Sequence, residues 1–487
     1  MCEMGACASG PPAEEYTWTV KNIDKALSEL DRSLGSGRVI TDPDVLQSYA
    51  VDESEVPPHP PEAVVRVKSA QDVVNAMRTC AEHEVPVTPR AAGTGRTGGA
   101  VPLAGGLVLA FESMNRIKGI ETRDLIAVVE PGVVLGELHR AVEELGLFYP
   151  PDPNSLASCT LGGNVAENAG GPRALRYGST RDYVLGMDVV LPSGTPLSVG
   201  KRTVKGVTGY DLTSLLVGSE GTLAITTEIT LKLLPKPRAV ATMLVPLPSL
   251  QAAAQGVAAV LGEGILPRCL ELLDETTLSI VRPLSQLPIS ERARALLLIE
   301  LDGEEAALDV QLERAGNALD GAGALDVLMA RHGSEREKLW GARRELSRAL
   351  RARAKFKLAE DVVVPRSRIP ALIEHCQQLS ERHQVLMPCY GHAGDGNIHV
   401  NFLWNDPADE PRVHGAIEAL FKHVIALGGT LSGEHGIGVL KAPYLPLEHS
   451  AELIALQEQV KALFDPKQLL NPGKIFPGHV QRFHRAC

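Results

Sequence analysis

Two histidines, His392 and His399, flank a glycine-rich turn in the run Y-G-H-A-G-D-G-N-I-H-V-N over residues 390–401. Further on, S-G-E-H-G-I-G over 432–438 adds a carboxylate, Glu434, and a third imidazole, His435. Two neutral imidazoles and one carboxylate with a coordination position left open form the ligand set of a catalytic divalent-metal site. A lone histidine is usually a satisfied polar group, so the weight rests on the combination. Gly394 and Gly396 oppose a helix. A hairpin-like reversal over 395–397 brings both histidines to one side, with Asp395 a turn-stabilising residue. Glu434 and His435 are neighbours, and in an extended segment neighbours point to opposite sides. Glu434 is then expected to face the metal, and His435 to be a free general base whose pKa lies near neutrality.

The elements that must position these groups follow from hydrophobic patterning. A strand over 64–67, a helix over 69–84 and a strand over 85–89 form a β-α-β unit, with Ser69 as helix N-cap and Asp72 at N3. The unit runs into the loop R-A-A-G-T-G-R-T-G-G-A over 90–100. Its closely spaced glycines let backbone amides gather around an anion. The loop matches G-x-G-x-x-G, but a turn and a strand over 107–111 follow it instead of the helix that a dinucleotide fingerprint requires. It also lacks the G-K-[ST] of a Walker loop. It is therefore a pyrophosphate cradle of another type or a flexible turn. A second small-residue cluster, T-L-G-G-N-V-A-E-N-A-G-G over 160–171, permits close approach of a planar ligand or a tight packing contact. Strands are expected over 125–129 and 228–234. P-K-P at 235–237 punctuates the chain. Beyond it, two β-α-β units over 241–273 and 295–330 predict an antiparallel sheet with helices on one face. Helices are expected over 334–353, 369–384 and 412–427.

Bulk properties narrow the classes. The 487 residues suffice for two or three domains. A net charge of −11 and 4% aromatic residues disfavour a nucleic-acid surface, an anionic-membrane surface and base-stacking platforms. The 8 cysteines contain no C-x-x-C pair, which opposes an iron–sulfur cluster or redox dithiol in this chain. Their scatter suits a reducing, cytoplasmic compartment. No apolar run reaches the roughly 18 residues of a membrane span, and the N-terminus lacks the pattern of a secretory signal.

The order of motifs resembles the vanillyl-alcohol oxidase/p-cresol methylhydroxylase family. The carriers are G-T-G-R-T-G-G, L-G-G-N-V-A-E-N-A-G-G, R-Y-G-S-T-R-D and G-S-E-G-T-L-A-I-T-T-E. The segments G-H-A-G-D-G-N-I-H and G-E-H-G-I-G narrow the resemblance to its FAD-linked D-2-hydroxyacid dehydrogenase branch. The likeness covers about residues 25–478. It implies an α+β protein with a two-subdomain FAD-binding domain and a ferredoxin-like antiparallel-sheet cap. The expected divisions are a loose tail over 1–20, an FAD-binding domain over 21–238, a cap with the substrate and metal sites over 239–440, and a C-terminal segment over 441–487 that returns to the FAD domain.

The resemblance further implies noncovalent FAD, since no His or Cys sits in the first loop to attach it. Contacts are expected from Arg90, Ala91, Gly93, Thr94, Gly95, Thr97, Gly98 and Gly99 in that loop. Gly162, Gly163, Asn168, Gly170 and Gly171 of the second cluster, with Gly178, Glu220, Gly221, Ile225 and Asn471, complete the set. Arg96 departs from the aliphatic residue common in relatives. Arg344 matches a substrate-carboxylate arginine, a role suited to bidentate recognition, with Arg343 its competitor and Lys357 a weaker candidate. Asn401 is expected to hydrogen-bond the substrate. The implied activity is oxidation of a D-2-hydroxyacid, D-lactate or glycolate first and D-2-hydroxyglutarate as the alternative, assisted by zinc or manganese. A separate electron acceptor is implied: a quinone, a cytochrome, an electron-transfer flavoprotein or an iron–sulfur subunit. Through that acceptor the protein could sit at a membrane surface. A homodimer or a multi-subunit glycolate oxidase complex is compatible with the resemblance.

Overall fold

The computed structural model describes residue 20 and residues 22–284, 289–344 and 346–477, without the side chains of Ala342 and Arg344. The expected tail thus lies outside the described residues but for Val20. Near the N-terminus, Val39–Ile40, Ala63–Arg66, Leu107–Ala110 and Val87–Arg90 form a four-stranded sheet in that order. Its three longer strands pair in parallel, and Val39–Ile40 is antiparallel. Helix Ala70–His83 links Ala63–Arg66 to Val87–Arg90 and starts in a capping box of Ser69 and Asp72, as the sequence predicts. After Arg90 the chain crosses to Leu107–Ala110 through the glycine loop with no helix between, which excludes the dinucleotide fingerprint.

A second, antiparallel sheet runs Ile117–Glu121, Ile126–Val129, Ile225–Lys232, Val184–Val190, Pro196–Gly200. Its central strand begins three residues earlier than expected, because Ile225 and Thr226 pair with Val190 and Val189. The second small-residue cluster contains a helix, Leu161–Glu167, that the sequence reading did not anticipate. Two adjacent glycines weaken local helix propensity. Packing overrides it: a Cβ at Gly162 would lie 2.7 Å from Pro131 Cβ.

The C-terminal half is one seven-stranded antiparallel sheet. Its order is Leu328–Ala330, Ala239–Leu247, Ala295–Gly303, Cys269–Leu273, Cys389–His392, Asn397–Trp404, Phe356–Val363. Helices Leu250–Gly262, Glu305–Gly321, Ile369–His383 and Glu410–Ala426 bury one face in a single apolar core. The other face is also covered, a correction to the one-sided layer expected. Glu275–Val281, Gly333–Arg344 and Leu346–Arg353 pack there on Leu244, Leu273, Leu296 and Leu298. These strands alternate apolar residues on both faces, so both need cover. The two halves are tied by Arg176 and Tyr177, which bond the Asp302 carboxylate at 3.0 and 2.8 Å. No described helix is long and apolar enough to cross a membrane.

Candidate active site

Register places the chemistry. His392 ends one strand and His399 stands in the next, opposite Tyr390. Tyr390 and His392 are two apart and share a face, so both imidazoles project from one side of the sheet. Gly396 makes the tight return: its φ is +93°, and a Cβ there would sit 2.0 Å from the Val364 carbonyl oxygen.

Carboxylates on the flanking strands hold both rings. Glu271 is the cross-strand partner of His392 and accepts a hydrogen bond from its Nδ1. Asp361 is the partner of His399 and lies 3.9 Å from its Nδ1. Asp361 also organises the segment that carries Glu434. Its Oδ2 accepts from Ser432 Oγ and from the backbone N–H groups of Gly433, Glu434 and His435 at 2.8–3.1 Å. The Glu434 carboxylate is thereby set 3.7 Å from His392 Nε2 and 3.6 Å from His399 Nε2. One ligand atom from each of these three residues lies within 4.8 Å of the others.

This wrapping corrects one expectation. The segment is not extended but bends around Asp361, because successive N–H groups converge on one carboxylate. His435 therefore does not point away from Glu434. Its ring stacks on His399 at 5.6 Å between centroids and enters the same cleft. His435 Nδ1 is shielded from solvent, has no hydrogen-bond partner among the described residues, and lies 3.9 Å from Asp361 Oδ2.

The electrostatics suit a cation. Burial opposes charge on His392, but Glu271 and Glu434 on either side hold its pKa well above the ordinary value. Burial pushes His399 down to about 3, leaving a neutral ring ready to ligate. Burial would raise Glu434, yet His392 and His399 bring it to about 2. Asp361 is likewise held well below the carboxylate range, against burial, by His435, Lys441 and His399. These three ligand-bearing residues, with carboxylates behind both imidazoles, fit a divalent metal.

The site opens into a cleft of about 560 Å³ that continues to the glycine loop. Arg90, Ala91, Gly93, Thr94, Gly95 and Gly99 line it, with Gly162, Gly163, Gly170, Glu220, Gly221 and Ile225 along its course. Tyr390, His399, Glu434 and His435 close the far end. Small residues and backbone amides on one side and a histidine cluster on the other fit a long dinucleotide whose reactive ring meets the cap.

Six expected cofactor residues support the cleft from outside its lining. Thr97 Oγ1 donates to the His435 carbonyl at 3.2 Å, joining the glycine loop to the segment over 432–438. Asn471 Nδ2 donates to the carbonyls of Gly99 and Glu220, both at 2.9 Å. Asn168 Oδ1 receives Ser179 Oγ and Arg181 N. Gly98, Gly171 and Gly178 take positive φ in tight turns.

Asn401 is fully buried behind the histidines. Its Nδ2 donates to the carbonyls of Pro388 and His399, and its Oδ1 has no partner among the described residues. Arg344 ends helix Gly333–Arg344, but its side chain lies outside the described residues. Its competitor Arg343 is buried, donates Nε to Glu271 at 2.7 Å and lies over the Tyr390 ring. It holds the carboxylate that holds His392. Lys357 and Arg96 both line the cleft. Burial and the nearby Arg96 and Arg351 lower the Lys357 ammonium to about 8. Arg96 pairs with Glu53 at 3.0 Å. Cys159 lines the cleft as well, and burial pushes its thiol up.

The sequence reading missed Glu271 and assigned no role to Asp361. The signal for Glu271 is a lone carboxylate within C-L-E-L-L, a run otherwise buried and apolar.

Comparison with known proteins agrees with this arrangement. Residues 61–200 match the family described as "FAD binding domain", and residues 236–475 match "FAD linked oxidases, C-terminal domain". The glycolate oxidase subunit GlcD of Bacillus subtilis (strain 168) is 40% identical over 430 residues, 88% of this chain and 92% of that protein. A D-lactate dehydrogenase of Anaerostipes hadrus is 34% identical over 95% of this chain and 99% of its own. Among solved structures, p-cresol methylhydroxylase with substrate bound superposes with a TM-score of 0.77 at 17% identity, covering 93% of this chain and 96% of that one. That likeness concerns the fold. The chain is an FAD-linked oxidoreductase: it belongs to the FAD-linked oxidases, in the family that includes glycolate oxidase subunits and D-lactate dehydrogenases.

Proposed function

We propose that this chain oxidises a short D-2-hydroxyacid, glycolate or D-lactate first, to the 2-oxoacid. The observation that carries the reading is the continuity of one cleft from the glycine loop to His399, Glu434 and His435. FAD, held by the lining residues of that loop and of the second cluster, supplies a two-electron hydride acceptor. Zinc or manganese, held by His392, His399 and Glu434, supplies Lewis acidity that lowers the pKa of a bound hydroxyl.

His435 is the base. Asp361 beside its Nδ1 favours the tautomer that carries the proton there, leaving the Nε2 lone pair for the substrate hydroxyl. His435 would take the hydroxyl proton, and bound FAD would supply the acceptor for the α-hydrogen and its electron pair, which leaves the alcohol carbon as a ketone or aldehyde carbon. Arg344 is proposed to hold the substrate carboxylate, and the unpartnered Oδ1 of Asn401 supports an accessory polar role.

The identity to GlcD of Bacillus subtilis favours a second reading, in which the chain is the FAD subunit of a glycolate oxidase complex. Arg96 and Lys357 in the cleft favour a third, D-2-hydroxyglutarate, whose second carboxylate needs additional cations. Electrons leave to a quinone, cytochrome, electron-transfer flavoprotein or iron–sulfur subunit.

Anaerobic bleaching of the flavin by a panel of D- and L-2-hydroxyacids, with an artificial dye as final acceptor, separates these readings. Bleaching by D-lactate or glycolate without partner proteins is expected. Chelation should abolish bleaching by substrate while the oxidised flavin spectrum stays intact. Full activity in metal-free protein would remove the metal from the reaction.

A further inference from the structure

The glycine loop is built over negative charge. Asp52 Oδ2 accepts from the backbone N–H of Ala100, at 3.4 Å. Glu167 lines the cleft, and a Cβ on Gly99 would meet its Oε1 at 3.0 Å. Its Oε2 is shielded from solvent and has no hydrogen-bond partner among the described residues. Glu220 is buried and accepts the N–H groups of Ile437 and Gly438 at 2.8 and 2.7 Å. Burial raises the pKa of Glu167, and the neighbouring Glu220 and Asp52 raise it further. Left alone, whatever negative charge this cluster carries would repel the diphosphate that the cradle has to hold.

One ammonium answers them. Lys474, from the last described segment, is 2% exposed and donates Nζ to the carbonyls of Gly98 at 2.6 Å and Val101 at 2.5 Å. Asn471, three residues earlier, takes the carbonyls of Gly99 and Glu220. The intervening stretch is fixed by Leu470, bridged in parallel to Val87, and by Ile475 N, which donates to Gly438 O at 2.7 Å. One short segment thereby holds the carbonyls of Gly98, Gly99 and Val101. A peptide whose carbonyl is held on one side presents the next residue's N–H towards the other. For Gly98 that is the N–H of Gly99, which lines the cleft, whereas the N–H of Ala100 goes to Asp52 and Pro102 has none.

We propose that Lys474 is a positioning residue for the FAD diphosphate: by holding the Gly98 carbonyl its ammonium fixes the direction of the Gly99 N–H, and it offsets negative charge from Asp52, Glu167 and Glu220. The inference rests on the chain binding FAD, not on the identity of the hydroxyacid or on the metal.

FAD titrated into apoprotein, followed by quenching of flavin fluorescence, tests it. Lys474→Met should raise the FAD dissociation constant roughly ten- to a hundredfold, the weight of hydrogen bonds to a charged group. Lys474→Arg should recover part of that loss. The far-ultraviolet circular dichroism of the Met variant's apoprotein should match wild type. A folded Lys474→Met variant with wild-type FAD affinity overturns the proposal. If that variant does not fold, the wild-type protein decides. Burial lowers Lys474 to about 7, although Asp52, Glu220 and Glu167 oppose this. FAD affinity should therefore fall as pH rises from 6 to 9, and a flat profile across that range overturns the proposal. Loss of hydroxyacid oxidation with FAD affinity unchanged would instead count against the proposed reaction.

Discussion

His435 enters the cleft with its ring stacked on His399 and Asp361 Oδ2 3.9 Å from its Nδ1. His435→Ala should slow flavin reduction by about 10²–10⁴-fold, the usual weight of a general base, with FAD content unchanged. Stopped-flow traces at the wild-type rate would end that assignment. Glu271 acts one step further back, through His392. Glu271→Gln should weaken zinc or manganese binding by about 10–100-fold in competition titrations. It should also lower the melting temperature, because it leaves buried Arg343 without its counter-charge. At this scale the sequence displayed the three side chains that cluster and hid their supports. His392, His399 and Glu434 announce themselves by chemistry and spacing. Glu271 and Asp361 matter only through register with strands far away in sequence, and local pattern does not contain register.

The hairpin between the two histidines converts alternation into convergence of His392 and His399 on Glu434. Gly396→Ala would press a methyl group into the Val364 carbonyl at a φ of +93°. A cost of about 1–3 kcal/mol from backbone strain alone is expected, together with substoichiometric metal. Thermal melts and metal analysis check it, and a variant with wild-type stability and full metal would show the turn to be slack. Elements with strong local signals were legible: helix Ala70–His83 starts at the capping box that Ser69 and Asp72 announce. Helix Leu161–Glu167 was not, since its glycine pair reads locally as a loop and only the contact with Pro131 explains it. The bend at 432–435 was also hidden, because it is imposed by Asp361 from another strand.

For the whole molecule, buried carboxylates set the pH dependence of stability. Burial raises Asp274, which caps helix Glu275–Val281, to about 6. A folded-state pKa above the unfolded one means that the folded chain holds the proton more tightly. The stability from this group is therefore complete below the ordinary value of 3.8 and is lost as pH rises through about 6. Asp274→Asn carries no such loss. Its stability relative to wild type should grow between pH 4 and 6, by about 1.4 kcal/mol per unit, and then level off. Denaturant midpoints at several pH values measure this, and parallel curves for the two proteins would refute it. Motif order and the P-K-P break suggest a division into a cofactor half and a cap. The merging of the cap's strands into one seven-stranded sheet was not readable, because strand order is decided by packing between distant segments.

Asn471 and Gly99, bonded to each other, are 372 positions apart. On the ribosome the glycine loop emerges first and must wait 372 positions before Asn471, with Leu470 and Lys474 beside it, reaches it. Flavin loading is thereby deferred until that later segment has been made, and a nascent chain stalled in the cap would display a half-built cradle with little grip on the nucleotide.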